Sequence, residues 1–311
     1  MRLPDKRSGH HLKQRHKDMI FAFLMILIPL VHFCVFWVST NVNSILMAFK
    51  TPNSDEFTLI NFQRFWNLLT EDRSSLLNSL INTVVLFIVG TFVNLPLVMF
   101  LSYVLFKKIA GYKIFRVVFY LPVILGGSVT AALFRYMISN GGPVEVVLDW
   151  LGVAYNKQLG LLGNPDTVFP MIIVYTIWTA VGTNMIMLSG AMHRIPEDIF
   201  ESARMDGVGF MREFFQIIVP LIWPTVTTML IFGVAGMFST STASMLLAPS
   251  TPEASTIGWY ITRYTMAAGN GMGKEVYNYP AAVGLVFTFI GTPLVLFTKW
   301  LCEKIARNVE Y

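Results

Sequence analysis

The sequence predicts an all-α polytopic membrane protein with six transmembrane helices. Its 311 residues are 54% hydrophobic and only 13% charged, and the mean hydropathy is +0.58, values typical of chains that cross a membrane several times. The hydrocarbon core of a bilayer requires about 20 residues of helix. Six apolar runs approach or exceed this length: Met19–Val38, Thr83–Phe106, Val117–Ile138, Val168–Met192, Ile217–Ser239 and Ala281–Phe297.

The distribution of Lys and Arg predicts the orientation of these helices. Sixteen of them fall in the two terminal tails, the loop after the second run and the segment between the fourth and fifth runs, whereas six fall in the loops on the other side. Cytoplasmic loops carry the excess of positive charge. We therefore expect both termini in the cytoplasm, with residues 1–18 as a basic tail, residues 19–38 as a retained first transmembrane helix and residues 302–311 as a second tail.

The ionisable residues exclude several classes of function. The six apolar runs contain no Asp or Glu, whereas proton-coupled transporters and membrane-embedded hydrolases generally place ionisable groups at membrane depth. The five His and two Cys are scattered, so the sequence predicts neither a catalytic site nor a metal site, and Cys34 and Cys302 fall in opposite halves of the membrane. The basic residues flank the apolar runs instead of forming one patch, which argues against a nucleic-acid partner.

A highly charged segment, residues 193–216, separates the fourth and fifth apolar runs. Its sequence predicts a short helix with Pro196 at the first position, where the missing N–H costs nothing. Gly207 should end this helix, because glycine readily adopts the left-handed cap conformation. A second helix should start near Phe210 and enter the membrane at Pro220.

The short helix is predicted to be amphipathic. At 100° per residue, apolar side chains share one arc and charged side chains share another. Glu201 could pair with Arg204, three residues further on. The apolar arc holds Pro196, Ile199, Phe200 and Ala203, and the charged arc holds Glu197, Glu201 and Arg204.

The same segment resembles the permease subunits of binding-protein-dependent ABC importers. Their EAA motif reads Glu-Ala-Ala, three residues, Gly, nine residues, Ile, one residue, Leu-Pro, and Ser202 and Val219 are the two departures from it here. Asp206, before the glycine, is frequent in carbohydrate-type members. The matching positions in this chain are Glu201, Ser202, Ala203, Gly207, Ile217, Val219 and Pro220.

The resemblance implies a type I importer (MetI-like) permease fold with an additional N-terminal helix. Residues 79–301 would form the permease core of five transmembrane helices, and the short helix would be the coupling helix that contacts a cytoplasmic ATPase. The stretch Tyr120-Leu121-Pro122, followed by Gly126 and Gly127, resembles carbohydrate permeases of the oligosaccharide branch. The glycine pair is expected to allow close helix approach.

The resemblance also implies the partners. They are a second homologous permease, an ATPase dimer, an extracytoplasmic binding protein, a carbohydrate substrate and the lipid of a bacterial cytoplasmic membrane. Residues Gly269–Glu275 only slightly resemble a phosphate-binding loop, since Ala268 occupies the first glycine position and Glu275 replaces Ser or Thr. This chain is therefore not expected to be an enzyme or to hold a cofactor; ATP and Mg²⁺ would bind to the ATPase.

Four polar residues within the spans are candidates for the substrate path. Asn94, Thr176 and Asn184 fall near mid-depth, and Arg135 falls near an outer end. The alternative for the first three is hydrogen bonding between helices, and the alternative for Arg135 is extension to the membrane surface. Two other functions stay open at this point, a secondary transporter and a membrane scaffold, in which the charged helix rests on the bilayer surface.

The outer loops are expected to contain short helices. These lie in the stretches FTLINFQRFWNLL, GGPVEVVLDWLGV and STIGWYITRYTM, the last one capped by Ser255. Trp259, Tyr260 and Tyr279 are among the aromatic residues of the last outer loop. An interfacial aromatic belt is the simplest interpretation of them.

Overall fold

The fold is helical throughout the part of the chain that the computed structural model describes, residues 8–51, 56–72, 74–153, 156–267 and 277–306. Side chains are described from Lys17 to Ile305 within these ranges. The predicted all-α class is confirmed, since these ranges contain no β-strand beyond one isolated bridge between Lys50 and Phe57. The ends of both predicted tails and the stretch Gly269–Glu275 lie outside the described residues.

Sixteen α-helices follow one another along the described chain. They are α1 Ser8–His32, α2 Ser39–Ala48, α3 Ile60–Thr70, α4 Ser75–Ile88, α5 Leu95–Phe106, α6 Tyr112–Ile124, α7 Gly127–Ile138, α8 Pro143–Trp150, α9 Gly160–Gly163, α10 Pro165–Met192, α11 Glu197–Met205, α12 Phe210–Glu213, α13 Val219–Gly236, α14 Thr242–Leu247, α15 Ile257–Ala267 and α16 Asn278–Ala306.

Several of these helices join into longer rods through single π-helical turns, at Phe33–Val38, Val89–Asn94 and Phe214–Ile218. A π-turn shifts the hydrogen-bond ladder to i→i+5 and often occurs at functional sites. Five rods in the described chain are long and apolar enough to cross a membrane: Lys17–Ala48, Ser75–Phe106, Pro165–Met192, Phe210–Ser239 and Asn278–Ile305.

The predicted third span is broken into two helices. α6 and α7 meet at an angle of 113°, so the described chain has five spans, or six if this bent pair counts as one. Gly126 lies at the break with φ +72° and ψ 153°, and a Cβ atom built there would meet nothing within 4 Å. It is needed because this backbone conformation is essentially restricted to glycine, and the expectation that it serves close helix approach is wrong.

The close approach occurs instead at Gly182, in the middle of α10. A Cβ atom built there would lie 2.5 Å from the carbonyl oxygen of Phe119 and 2.7 Å from Cγ2 of Val123. Only a residue without a side chain allows α10 and α6 to pack at this distance.

Three clusters of buried apolar residues hold the bundle together. One joins α5, α10, α11 and α13, the second joins α7, α10 and α14, and the third joins α3, α15 and α16. The first span differs, because no residue in the most apolar 18-residue window of Lys17–Ala48 is buried within this chain. Its apolar side chains are suited to face lipid or another subunit.

The predicted short helices in the outer loops are confirmed as α3, α8 and α15. The predicted cap is wrong, because the hydroxyl of Thr256, not Ser255, accepts the N–H of Trp259 at 3.3 Å. The interfacial interpretation is wrong for Tyr260 and Tyr279, which are buried and 3.2 Å apart at their hydroxyls.

Lys157 connects the loop after α8 back to this helix. Its Nζ donates to Asp149 at 2.6 Å and lies 3.5 Å from Glu145. The hydrogen bond to Asp149 raises the pKa of Lys157 above its ordinary value.

Candidate functional site

The helix α11 has sharply defined ends. Pro196 is extended, with φ −58° and ψ 141°, and it precedes the helix instead of occupying its first position. Glu197 and Asp198 fill the first turn, where carboxylates are favoured by the positive end of the helix dipole. At the other end Gly207 has φ +67°, its N–H donates to the Arg204 carbonyl at 3.1 Å, and the Val208 N–H donates to Ala203 at 3.0 Å.

These two bonds form a Schellman motif, which satisfies the last carbonyls of a helix. The prediction that Gly207 ends α11 is therefore confirmed. Asp206, just before it, is exposed. Ser202 donates its hydroxyl to the Asp198 carbonyl at 2.9 Å and is also exposed.

The two faces of α11 differ as predicted. Phe200 and Ala203 are buried, and Glu197, Glu201 and Arg204 are exposed. Ala203 therefore packs within this chain. The exposed face ends at Met205, which is 89% exposed.

The expected pairing of Glu201 with Arg204 is replaced by another contact. Arg204 directs its Nε at the carbonyl oxygen of Phe200, at 3.3 Å. The Glu201 carboxylate thus remains on the exposed face of α11.

The end of α5 attaches the segment 193–216 to the bundle. Phe106 packs against Phe200, with ring centroids 5.5 Å apart. Tyr103 packs against Phe210 and Phe214 at 4.7 and 5.2 Å, and its hydroxyl donates to the Phe210 carbonyl at 3.2 Å. The end of α5 therefore contacts both α11 and the stretch that leads from α12 into α13.

The stretch from α12 to α13 enters the bundle through the π-turn Phe214–Ile218. Within this turn Ile217 is half-buried and its neighbour Ile218 is fully buried. Pro220 is the second residue of α13, where a missing N–H is tolerated. The motif positions Ile217 and Pro220 thus lie where the segment becomes a transmembrane helix.

Sequence reasoning missed Glu213. The apolar run begins at Ile217, but the helical rod begins at Phe210, so this rod includes a carboxylate that is only 4% exposed. Its partner is Lys107, at 2.6 Å. Because the residues before Ile217 are mostly polar, the sequence did not indicate that Glu213 would be buried within the helical rod.

Three of the four predicted path residues share one cavity. It has a volume of about 360 Å³ and lies between the rods Ser75–Phe106, Pro165–Met192 and Phe210–Ser239. Asn94, Thr176 and Asn184 line it, together with Thr91 and Thr240, which sequence reasoning did not select.

Asn94 has the most unusual position in this cavity. It is 3% exposed, and its Oδ1 has no hydrogen-bond partner among the described residues. An unpaired buried amide oxygen costs about 1–3 kcal/mol. The oxygen itself exposes less than 1 Å² of surface, so a ligand in the cavity could reach it only if the surrounding helices moved. Thr176 donates its own hydroxyl to the Ile172 carbonyl at 2.7 Å and can still accept a hydrogen bond.

Arg135 lies apart from the cavity. Its Nη2 donates to the carbonyl oxygens of Leu246 and Leu247, at 2.6 and 2.9 Å. These carbonyls belong to the end of α14, where a cation complements the helix dipole. The contact joins α7 to α14 and gives Arg135 a structural role.

Comparisons with known proteins identify the family of this chain. Residues 69–311 match the family described as "Binding-protein-dependent transport system inner membrane component". The chain is 26% identical over 235 residues to the probable ABC transporter permease protein YesP of Bacillus subtilis, covering 74% of each chain. It is 24% identical over 286 residues to the arabinooligosaccharides transport system permease protein AraP of Halalkalibacterium halodurans, covering 88% of this chain and 85% of AraP.

The fold also matches a solved structure. A chain from a bacterial ABC transporter involved in the import of the acidic polysaccharide alginate superposes with a TM-score of 0.78 at 22% identity. The match covers 95% of this chain and 99% of the other.

Proposed function

We propose that this chain, which belongs to the family of binding-protein-dependent transport system inner membrane components, forms half of a translocation path for an oligosaccharide. The other half would be a second, homologous permease. A separate ATPase dimer would supply the energy, and an extracytoplasmic binding protein would deliver the substrate. The end of the bundle that carries α11 would then face the cytoplasm.

The observation that carries the proposal is the construction of α11. The helix is capped at its C-terminal end by Gly207, anchored by Phe200 on its inner face, and connected through α5 and α13 to the walls of the cavity. Its outer face presents Glu201 and the 89% exposed Met205. A capped, exposed helix that packs against the spans around a polar cavity is suited to transmit a partner's movement to that cavity.

The chemistry of the cavity supports a carbohydrate substrate. The described residues that line it carry hydroxyl and amide groups but no charge, and they alternate with apolar side chains. Sugars present hydroxyl groups that exchange hydrogen bonds with Asn and Thr, as well as apolar C–H faces. The names of the relatives point the same way, since they include permeases for arabinooligosaccharides and for polygalacturonan and rhamnogalacturonan.

Affinity purification of the tagged chain from its own host tests the assembly. We expect a second permease and an ATPase to co-purify, and the ATPase to be lost when Glu201 is changed to Lys. Recovery of the chain with no ATPase under any mild detergent condition would favour a secondary transporter or a scaffold.

Cysteine labelling tests the orientation. In a background with Cys34→Ser and Cys302→Ser, a membrane-impermeant reagent should reach a cysteine at Lys157 in intact cells. It should not reach a cysteine at Arg212 until the membrane is opened. The reverse pattern would contradict the proposed orientation.

A further inference from the structure

Two charged side chains meet where the segment 193–216 joins the membrane-spanning rods. Lys107 Nζ lies 2.6 Å from Oε1 of Glu213 and donates to Oε2 at 2.8 Å. The Glu213 side chain is 5% exposed, and the Lys107 side chain is 29% exposed. A buried carboxylate that loses its partner is strongly destabilising, so the two positions are energetically linked although they lie 106 residues apart in the sequence.

Lys107 also lies over two aromatic rings that belong to different helices. We call this junction of α5, α11 and the rod Phe210–Ser239 the joint. The Nζ of Lys107 is 5.7 Å from the ring centroid of Phe200 in α11 and 5.9 Å from that of Tyr103 in α5. Tyr103 and Lys107 are four residues apart, so they share one face at the end of α5. Through Phe200 and Glu213, this face touches both the coupling helix and the start of the rod Phe210–Ser239.

The remaining contacts here are ring pairs and one neutral hydrogen bond. Phe100, Tyr103 and Phe106 meet their partners with ring centroids 4.7 to 6.4 Å apart, and each such pair contributes about 0.5–1.5 kcal/mol beyond its buried area. The Tyr103 hydroxyl donates to the Phe210 carbonyl at 3.2 Å. The π-turn Phe214–Ile218 begins immediately after Glu213. The Lys107–Glu213 pair adds a charge-assisted hydrogen bond to Oε2 and a short ionic contact to Oε1, and a hydrogen bond between charged groups is roughly twice as strong as a neutral one.

We propose that the Lys107–Glu213 pair is the positioning element that makes α11 move together with the ends of α5 and α13. This inference rests on the proposed function, because it assumes that an ATPase displaces α11. Glu213 is too buried to contact that ATPase directly. Any effect of its loss on ATP hydrolysis must therefore pass through the joint.

The experiment uses the assembled transporter in proteoliposomes with its binding protein and an oligosaccharide substrate. The variants are Glu213→Gln, Lys107→Met, the neutral double variant with both changes, and the exchange of Lys107→Glu with Glu213→Lys. Glu303→Gln is the matched control, since it removes an exposed pair with Lys299 at 3.8 Å and such pairs contribute little. Three quantities are measured: co-purified ATPase, the ratio of stimulated to basal ATP hydrolysis, and ATP consumed per sugar transported.

We expect the variants to retain the ATPase but to lose coupling. Coupling between two sites typically corresponds to a factor of about 5 to 150, and we expect the stimulation ratio to fall about tenfold, with more ATP consumed per sugar. The neutral double variant leaves no unpaired buried charge, so it should assemble even if a single variant does not. It should still be weakly stimulated, and the charge exchange should recover part of the ratio.

Two results would overturn the inference. One is an unchanged stimulation ratio in the neutral double variant. The other is a fall in hydrolysis that is fully explained by loss of bound ATPase and is not reversed by the charge exchange. That result would mean that the pair contributes to stability alone. If the unaltered transporter shows no substrate-stimulated hydrolysis, the proposed function itself fails; stimulation that survives in all variants contradicts only the role of the pair.

Discussion

Replacing Gly207 with Val should uncouple the chain from its ATPase while leaving membrane insertion intact. The position has φ +67°, and a Cβ atom built there meets nothing within 4 Å. The cost is therefore set by the backbone and not by a clash. For an L-residue the left-handed region costs about 1–2 kcal/mol, and a β-branched residue is at the upper end of this range.

The strain can be relieved only by opening the cap of α11. That change loses the bonds from Gly207 and Val208 to Arg204 and Ala203, at 3.1 and 3.0 Å. A strain of about 2 kcal/mol shifts the ratio of open to capped helix roughly 30-fold, since each 1.4 kcal/mol is a factor of ten. The exposed face of α11 would then be displaced relative to the ATPase surface that it contacts.

The assay is retention of the ATPase on the tagged chain, together with substrate-stimulated hydrolysis in proteoliposomes. Gly207→Asn is the matched control, because Asn is similar in size to Val but tolerates the left-handed conformation. Gly209→Ser is a second control, since this neighbouring position has φ −75° and open space. Wild-type stimulation in Gly207→Val, or equal loss in the Val and Asn variants, would refute the argument from backbone conformation.

Four further outcomes are expected. Glu201→Lys should weaken ATPase retention without changing the melting temperature, because its carboxylate lies on the exposed face of α11. Gly182→Ala should destabilise the chain by about 1–3 kcal/mol through overpacking, whereas Gly190→Ala in the same helix, where a Cβ meets nothing within 4 Å, should not; equal melting temperatures would contradict this. Asn94→Leu should preserve stability, since its Oδ1 has no bond to lose, but should lower sugar uptake, and unchanged uptake would remove Asn94 from the path. Arg135→Leu should cost about 1.5–3 kcal/mol by removing charged donors from two carbonyls, with the KM for substrate unchanged; a changed KM at normal stability would indicate a substrate contact instead.

Local chemistry made part of the structure predictable. The end of α11 follows from a glycine after an amphipathic stretch, and the apolar and charged faces of this helix follow from its periodicity. The membrane-spanning class follows from the length of the apolar runs. These features depend on residues within one or two helical turns of each other, which a single sequence displays directly.

Features set by tertiary contacts were not predictable in the same way. A Gly-Gly pair permits either a close helix contact or a break, and only the backbone of Gly126 shows which one occurs. The close contact at Gly182 depends on the carbonyl of Phe119, in another helix. The burial of Glu213 depends on Lys107, and the sequence around either residue does not indicate that the two are paired.

The proposed function is tested most directly by sugar uptake into proteoliposomes that contain this chain, its partner permease, the ATPase and the binding protein. We expect uptake that requires ATP, stops when either the ATPase or the binding protein is omitted, and does not depend on a proton or sodium gradient. Uptake by this chain without the ATPase, driven by an ion gradient, would contradict the proposed function.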